Sequence, residues 1–212
     1  MTDWQTISAV ASAGGTLVLA VATFSAIRSA NRSARVAEQA LLMGIRPLLM
    51  QSLFTDPPLK ALWSDRHVAK VDPGRAVVEH VDDVIYLAFG LRNAGSGIAL
   101  VHGWSVRQAF EREDPVAPED FRRQGIDIYV PPSGVGLWES ALREPDESAF
   151  VEMAKNIADR EPFVIDVLYG DQEGGQRTIS RFIVMPYGDD AWYTQSGRHW
   201  NVDRPAVRPR GD

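Results

Sequence analysis

The chain has 212 residues, and 22 basic against 28 acidic side chains give a net charge of −6. Its 45% apolar and 24% charged content is that of a globular chain, which excludes wholesale disorder and collagen-like repeats. The absence of cysteine excludes disulfides, thiolate zinc sites and cysteine nucleophiles, and the acidity excludes a general nucleic-acid binder.

The average hides a split. Up to residue 46, Arg28, Arg32, Arg35 and Arg46 oppose Asp3 and Glu38 for a net +2, and the remainder is net −8. Ile7 to Ile27 carries no charge over 21 residues. As a helix it is about 31 Å long, the thickness of a bilayer's hydrocarbon core. Ile7, Val10, Leu17, Val18, Leu19, Val21, Phe24 and Ile27 favour insertion by roughly 2–5 kcal/mol before five Ser/Thr and Gly14-Gly15 subtract.

Two alternatives compete with a transmembrane helix. A buried soluble helix of this length lacks the polar face it needs. A cleaved signal peptide lacks its positive n-region, because residues 1–6 hold no Lys or Arg, and apolar residues continue past the Ala20-Val21-Ala22 site. The segment is therefore expected to be retained, with Trp4 at headgroup depth. Arg28, Arg32 and Arg35 follow it and no basic side chain precedes it. That asymmetry predicts a short external N-terminus (1–6) and a cytoplasmic C-terminal domain at the inner, plasma, membrane.

Residues 28–44 read as a basic juxtamembrane helix, rich in helix formers and stopped by Gly44 and Pro47. Arg28, Arg32 and Arg35 share a face, suited to anionic headgroups of the lipid bilayer. A stripe of mostly small residues (Ala9, Ala13, Thr16, Ala20, Thr23, Ile27, Ala30, Ala34, Ala37, Leu41) offers a seam for homo-oligomer contact.

From residue 45 the apolar period changes to two. Val84–Asn93, Ile98–Phe110, Phe163–Tyr169 and Arg177–Tyr187 read as strands, with Ile45–Phe54, Ile126–Val130 and Val135–Leu142 as weaker ones. The turns Asn93-Ala94-Gly95-Ser96-Gly97 and Asp171–Gly175 supply residues tolerant of positive φ between antiparallel neighbours. One helix interrupts the strands, with Pro145-Asp146-Glu147 as its acidic first turn, Phe150, Met153, Ala154 and Ile157 on its apolar face and Pro162 beyond. Pro118–Gln124 reads as a short second helix. The expected fold is mainly β: an antiparallel, immunoglobulin-like β-sandwich over 45–201 with one inserted helix and Trp104 in its core, then an extended tail, 202–212.

This arrangement resembles bacterial single-pass membrane-anchored proteins of uncharacterised function. The shared features are the apolar helix Ile7–Ile27, the Arg-rich continuation Arg28–Leu42, the step Arg46-Pro47 into the first strand, and the N-x-G-x-G-x-A turn Asn93–Ala99. The resemblance implies a fold and a location. It brings no catalytic residue.

No motif assigns a cofactor. Gly95-Ser96-Gly97 lacks both the further glycine and the helix of a dinucleotide loop. The densest metal-ligand set, His80 with Asp82 and Asp83, alternates faces and reads as surface loop. His102 falls among core-facing residues and reads as a hydrogen-bonded core histidine. Asp166, Asp171, Glu173, Asp189 and Asp190 could converge for metal-dependent hydrolysis, but their glycine flanks indicate turns. Trp192-Tyr193 and Arg198-His199-Trp200 read as core closure. The terminal Arg210-Gly211-Asp212 adhesion tripeptide is at odds with a cytoplasmic tail. The function expected is an interaction module held at the membrane, binding a membrane-proximal protein through Asn93–Gly97, Glu111–Gly125 and Trp192–Trp200. The alternatives are the hydrolase, and a secreted or surface binding protein should the N-terminus be a signal peptide.

Overall fold

The computed structural model describes residues 4–109 and 114–203, and in the first helix the side chains from Ser12 onward except Gln39, Leu42 and Met43. The chain divides into two compact units, Met1–Gly44 and Ile45–Asp212.

The first unit is one helix, α1 (Trp4–Gly44, 41 residues). At 1.5 Å per residue it is about 60 Å long. The apolar run and its basic continuation are therefore one uninterrupted element. Nothing in its sequence breaks it: proline is absent, Gly14-Gly15 are flanked by good helix formers, and it stops at Gly44 as expected.

The second unit contains β1 (Leu49–Gln51), β2 (Leu59–Leu62), β3 (Val68–Val71), β4 (Arg75–Val81), β5 (Val84–Asn93), β6 (Ala99–Gln108), β7 (Arg122–Val130), β8 (Val135–Leu142), α2 (Ser148–Ala158), β9 (Phe163–Gly170), β10 (Arg177–Tyr187) and β11 (Ala191–Asn201). It is mainly β, and its pairs are antiparallel, the arrangement of a β-sandwich or half-barrel. The main sheet runs β7-β6-β9-β10-β11-β4-β5, and both β1 and β8 also pair with β5. Gln124 of β7 donates to the Glu139 carbonyl of β8 at 3.0 Å, so the ends of the sheet approach each other.

Two short strands act as one. β4 pairs with β5 from Val84 to Phe89, and β1 takes up β5 again from Leu91 to Asn93. Between them the chain leaves the sheet at Ser52 and returns at Gly74. The breach is closed by Ser52 N–H on the Gly90 carbonyl (3.0 Å), Gly74 N–H on Ser52 Oγ (3.0 Å) and Thr194 N–H on the Gly74 carbonyl (3.0 Å). The excursion, the β2–β3 hairpin, packs Ala61, Trp63, Ala69 and Val71 over the outward side chains Val77, Tyr86 and Ala88.

The inner face follows the period of two. Ile85, Leu87, Phe89 and Leu91 of β5 meet Phe163, Ile165, Val167 and Tyr169 of β9 in the main core. Trp138 is its centre, with ring centroids 4.8 Å from Phe89 and 5.6 Å from Trp104. α2 seals it with Phe150 and Met153.

Four sequence expectations change. Among the described residues eleven strands replace about seven: the β2–β3 hairpin and β4 were too short or too polar to show a clean alternation, and β11 appeared as core-closing residues rather than a strand. Pro118–Gln124 is a single turn of 3-10 helix, Pro118–Asp120, and β7 starts at Arg122. The acidic residues before α2 lie ahead of its first turn, with Glu147 as N-cap. The Asn93–Gly97 turn is not a hairpin, because β5 and β6 do not pair with each other. Asp171–Gly175, by contrast, does join the paired strands β9 and β10. The tail beyond residue 203, with its terminal tripeptide, and Phe110 lie outside the described residues.

Candidate functional site

Of the residues singled out in the sequence, the turn Asn93, Gly95 and Gly97 lies at one pole of the β unit, where the chain arrives through Ile45–Leu48. Asn93 is fully buried there. Its Oδ1 accepts the amides of Leu48 (3.1 Å) and Gly95 (2.9 Å), and its Nδ2 donates to the carbonyls of Gly97 (2.7 Å) and Val130 (2.9 Å). One amide side chain thus holds the arriving strand, its own turn and the end of β7. The glycines serve closeness, not conformation: a Cβ at Gly95 would strike the Arg46 carbonyl oxygen, and one at Gly97 the Ile45 carbonyl oxygen. Neither has positive φ, unlike Gly74, Gly174 and Gly188. The turn is a buckle for the arriving segment, with Ala94 and Ser96 exposed at its tip.

A second fastening lies beside it. Leu49 N–H donates to Tyr169 Oη at 3.0 Å, Tyr169 Oη meets Ser180 Oγ at 2.8 Å, and Ser180 Oγ meets His199 Nδ1 at 2.6 Å. Arg46 adds bonds to Asn201 Oδ1 and, at 3.4 Å, to Thr178 Oγ1. Burial pushes the Tyr169 hydroxyl up to about 12 and holds His199 below the usual histidine range. Burial, with Arg177 nearby, does the same to His102, whose ring packs against Gly170. The sequence pointed to His199 as core closure. It gave no sign of this chain, because its members come from four separate segments.

The carboxylates do not converge. Asp166 is buried on the outer face of β9, bonded by Arg107 Nη2 (2.7 Å) and by Arg181 through Nε (2.8 Å) and Nη2 (2.9 Å). Asp171 caps the turn before β10, with Gly175 N–H on its Oδ1 at 2.8 Å. Asp189 and Asp190 lie past the other end of β10. Eleven residues of strand separate these ends by roughly 33 Å. His80 is exposed near the end of β4, with its ring edge-to-face with Phe150 at 5.5 Å, and Asp82 and Asp83 form the exposed turn that follows. Among the described residues no three His, Asp or Glu side chains are grouped to hold a metal.

The outer surface carries an aromatic patch. Phe54, 68% exposed, stacks on Tyr193 (5.8 Å), which approaches the exposed Tyr187 (6.5 Å), and Arg75 lies over the Tyr187 ring (5.0 Å). Gly74, at φ +72°, leaves the space Phe54 occupies. The Trp192–Trp200 segment contributes Tyr193, while Trp192 is buried in the core. Phe54 was the signal available in sequence: a large apolar residue beside the turn Asp56-Pro57-Pro58. Of the Glu111–Gly125 segment, residues 111–113 lie outside the described residues.

In the helix unit, Arg28, Arg32 and Arg35 are exposed, and Trp4 is the first helical residue. Leu17, Val18, Leu19, Val21, Phe24 and Ile27 are all more than half exposed. Thr16 and Ser25 turn their hydroxyls back onto the carbonyls of Ser12 (2.9 Å) and Ala22 (2.8 Å). By length and composition Ser12–Glu38 is long and apolar enough to cross a membrane.

No protein-family model matches the chain, and no curated protein matches it. Among solved structures it is similar to the crystal structure of a protein from Archaeoglobus fulgidus, at 15% identity over 62% of this chain and 96% of that one. The TM-score is 0.26, too slight a likeness to carry fold or function across.

Proposed function

We propose that this protein is a single-pass membrane protein whose β domain works as a protein-interaction module at the cytoplasmic face of the plasma membrane. The observation that carries the reading is the uncharged, outward-facing apolar surface of α1 from Leu17 to Ile27, closed by Arg28, Arg32 and Arg35. Apolar side chains exposed in this way have no favourable partner in water and a good one in lipid. The back-bonded hydroxyls of Thr16 and Ser25 support it, since lipid offers polar groups no partner. The basic flank on the C-terminal side supports an N-terminus outside and the domain inside.

For the domain's task, the support is the Phe54–Tyr193–Tyr187 patch, since aromatic side chains dominate protein interfaces. Confinement to a membrane raises the effective concentration of a membrane-proximal partner, so a patch of this size suffices. Self-association of α1 along its small-residue seam belongs to the same reading. In outline we compare the domain with an immunoglobulin-like sandwich, on the antiparallel pairing and the Trp104–Trp138 core; its strand order lends that comparison no further support.

The natural absence of cysteine makes the test direct. One cysteine is placed at the exposed turn residue Glu173 and probed with an impermeant maleimide. We expect a carbonate-resistant protein that labels only after the cells are permeabilised. Labelling in intact cells, or release by carbonate, overturns the reading. For the module, replacing Phe54 and Tyr187 by alanine is expected to abolish recovery of a stoichiometric partner from detergent extracts. Unchanged recovery assigns the partner to another surface.

A further inference from the structure

The Leu49–Tyr169–Ser180–His199 chain is not used by the anchoring proposal and is independent of it. Its hydrogens can be ordered from the fixed end. A peptide N–H only donates, so Tyr169 Oη accepts from Leu49. The phenol hydrogen then goes to Ser180 Oγ, and the serine hydrogen to His199 Nδ1. Each buried polar hydrogen has a partner in this order. It requires an unprotonated Nδ1, with the ring hydrogen on Nε2.

We propose that this relay is a proton-operated latch: protonation of His199 reverses its last bond and loosens the arriving strand β1 from the closing strands β10 and β11. An imidazolium presents N–H at Nδ1, so Ser180 Oγ must accept there. The serine hydrogen then has neither His199 nor an open direction along the chain. Among the described residues Tyr169 and His199 are the hydrogen-bond partners of Ser180 Oγ. If the serine donates back to Tyr169 instead, the phenol hydrogen is stranded. Either order leaves a buried hydroxyl hydrogen unpaired, a state that native interiors avoid.

Burial opposes the proton, and the elements around the ring supply these groups. From the arriving segment comes Arg46, bonded to Asn201 two residues along β11. β9 presents Tyr169, neutral at physiological pH, and β10 presents Thr178 and Ser180 between Arg177 and Arg181. Arg198 and Trp200 precede and follow His199 on β11, and the Arg198 guanidinium lies over the Trp200 ring. Among the described residues the ring's hydrogen-bond partner is the Ser180 hydroxyl, not a carboxylate. The strand it governs is short: β1 has three residues, tied to β11 by Gln51 and Ser196 (2.8 and 2.9 Å).

The test uses the full chain in mild detergent micelles. Imidazole nitrogen NMR at neutral pH should show His199 protonated at Nε2 and bare at Nδ1. Hydrogen exchange at the Leu49 amide, corrected for its intrinsic rate, should lose up to about tenfold protection as His199 titrates, the scale of one lost hydrogen bond. His199→Asn, whose Oδ1 accepts in the place of Nδ1 and cannot be protonated, should keep Leu49 protected across the same range. A hydrogen on Nδ1 at neutral pH overturns the latch, as does unchanged Leu49 exchange through the His199 titration. Equal loss in His199→Asn overturns it as well. Should that variant fail to fold, the wild-type chain still decides: loss of protection that follows the His102 midpoint and not that of His199 refutes the proposal.

Discussion

The Asn93 side-chain carbonyl accepts the Leu48 amide at 3.1 Å, across 45 residues of sequence. With the three other bonds of the same amide group, it makes the strand after α1 part of the sheet rather than a linker. Asn93→Ala should therefore cost about 2–4 kcal/mol, because it leaves several buried backbone groups unpaired. Asn93→Asp keeps the acceptors but sets a carboxylate against the Gly97 and Val130 carbonyls. Its deficit relative to wild type should shrink as pH falls and the carboxyl takes up a proton. Urea unfolding monitored by tryptophan fluorescence at pH 7 and pH 4 checks both.

Gly97→Ala places a methyl group against the backbone carbonyl of Ile45, which cannot rotate away as a side chain could. We expect a loss of about 1–3 kcal/mol, the range for overpacking against a fixed neighbour. Gly125→Ala, where the added carbon meets nothing within 4 Å, should be within about 0.5 kcal/mol of wild type. Equal effects in the two variants would show that strand propensity, not the close approach, sets the glycine.

Val84–Asn93 and Arg177–Tyr187 were legible to the residue because each buries alternate apolar side chains on the inner face. β4 was not: Arg75, Glu79 and His80 mask its pattern, and it completes a strand that β1 begins about 25 residues earlier. The same limit applies to the site. Asn93, Gly95 and Gly97 stood out as a turn, yet the reason for two glycines lies in Ile45 and Arg46, which sequence separates by about 50 residues. Local signals mark where special residues are needed, and only the tertiary neighbour says for what.

Asp166 holds Arg107 and Arg181 together with no solvent contact of its own. Removing the carboxylate leaves two guanidinium groups facing each other over β9. Asp166→Asn should destabilise by roughly 3–5 kcal/mol, the cost of breaking a buried pair from one side. The double variant Asp166→Asn with Arg107→Met should recover part of that loss. No recovery would mean that Arg107 contributes packing rather than charge.

Tyr169 is an acid whose proton the folded state holds more tightly, to about 12 from a usual 10. The sign follows: the unfolded chain loses this proton first, so stability is intact below pH 10 and declines as pH rises from 10 towards 12. The decline from this group amounts to about 2–3 kcal/mol by pH 12. Absorbance at 295 nm during an alkaline titration should show Tyr169 ionising late and together with unfolding. Tyr169→Phe should remove the late component, at the expense of the Leu49 and Ser180 bonds.

Val18 lies near the middle of the uncharged run and is fully outward on α1. An arginine at the centre of a spanning helix costs about 2.5–3.5 kcal/mol, against the roughly 2–5 kcal/mol that the apolar residues supply before the polar ones subtract. The balance is thin enough for one charge to tip it. Val18→Arg should shift the full chain from carbonate-resistant to carbonate-extractable, while Ser33→Arg, beyond the run, should leave partition unchanged. The β unit has its own core, so its near-ultraviolet circular dichroism should be the same in both variants. Partition that ignores both substitutions would mean that the attachment to membranes comes from the β unit and not from α1.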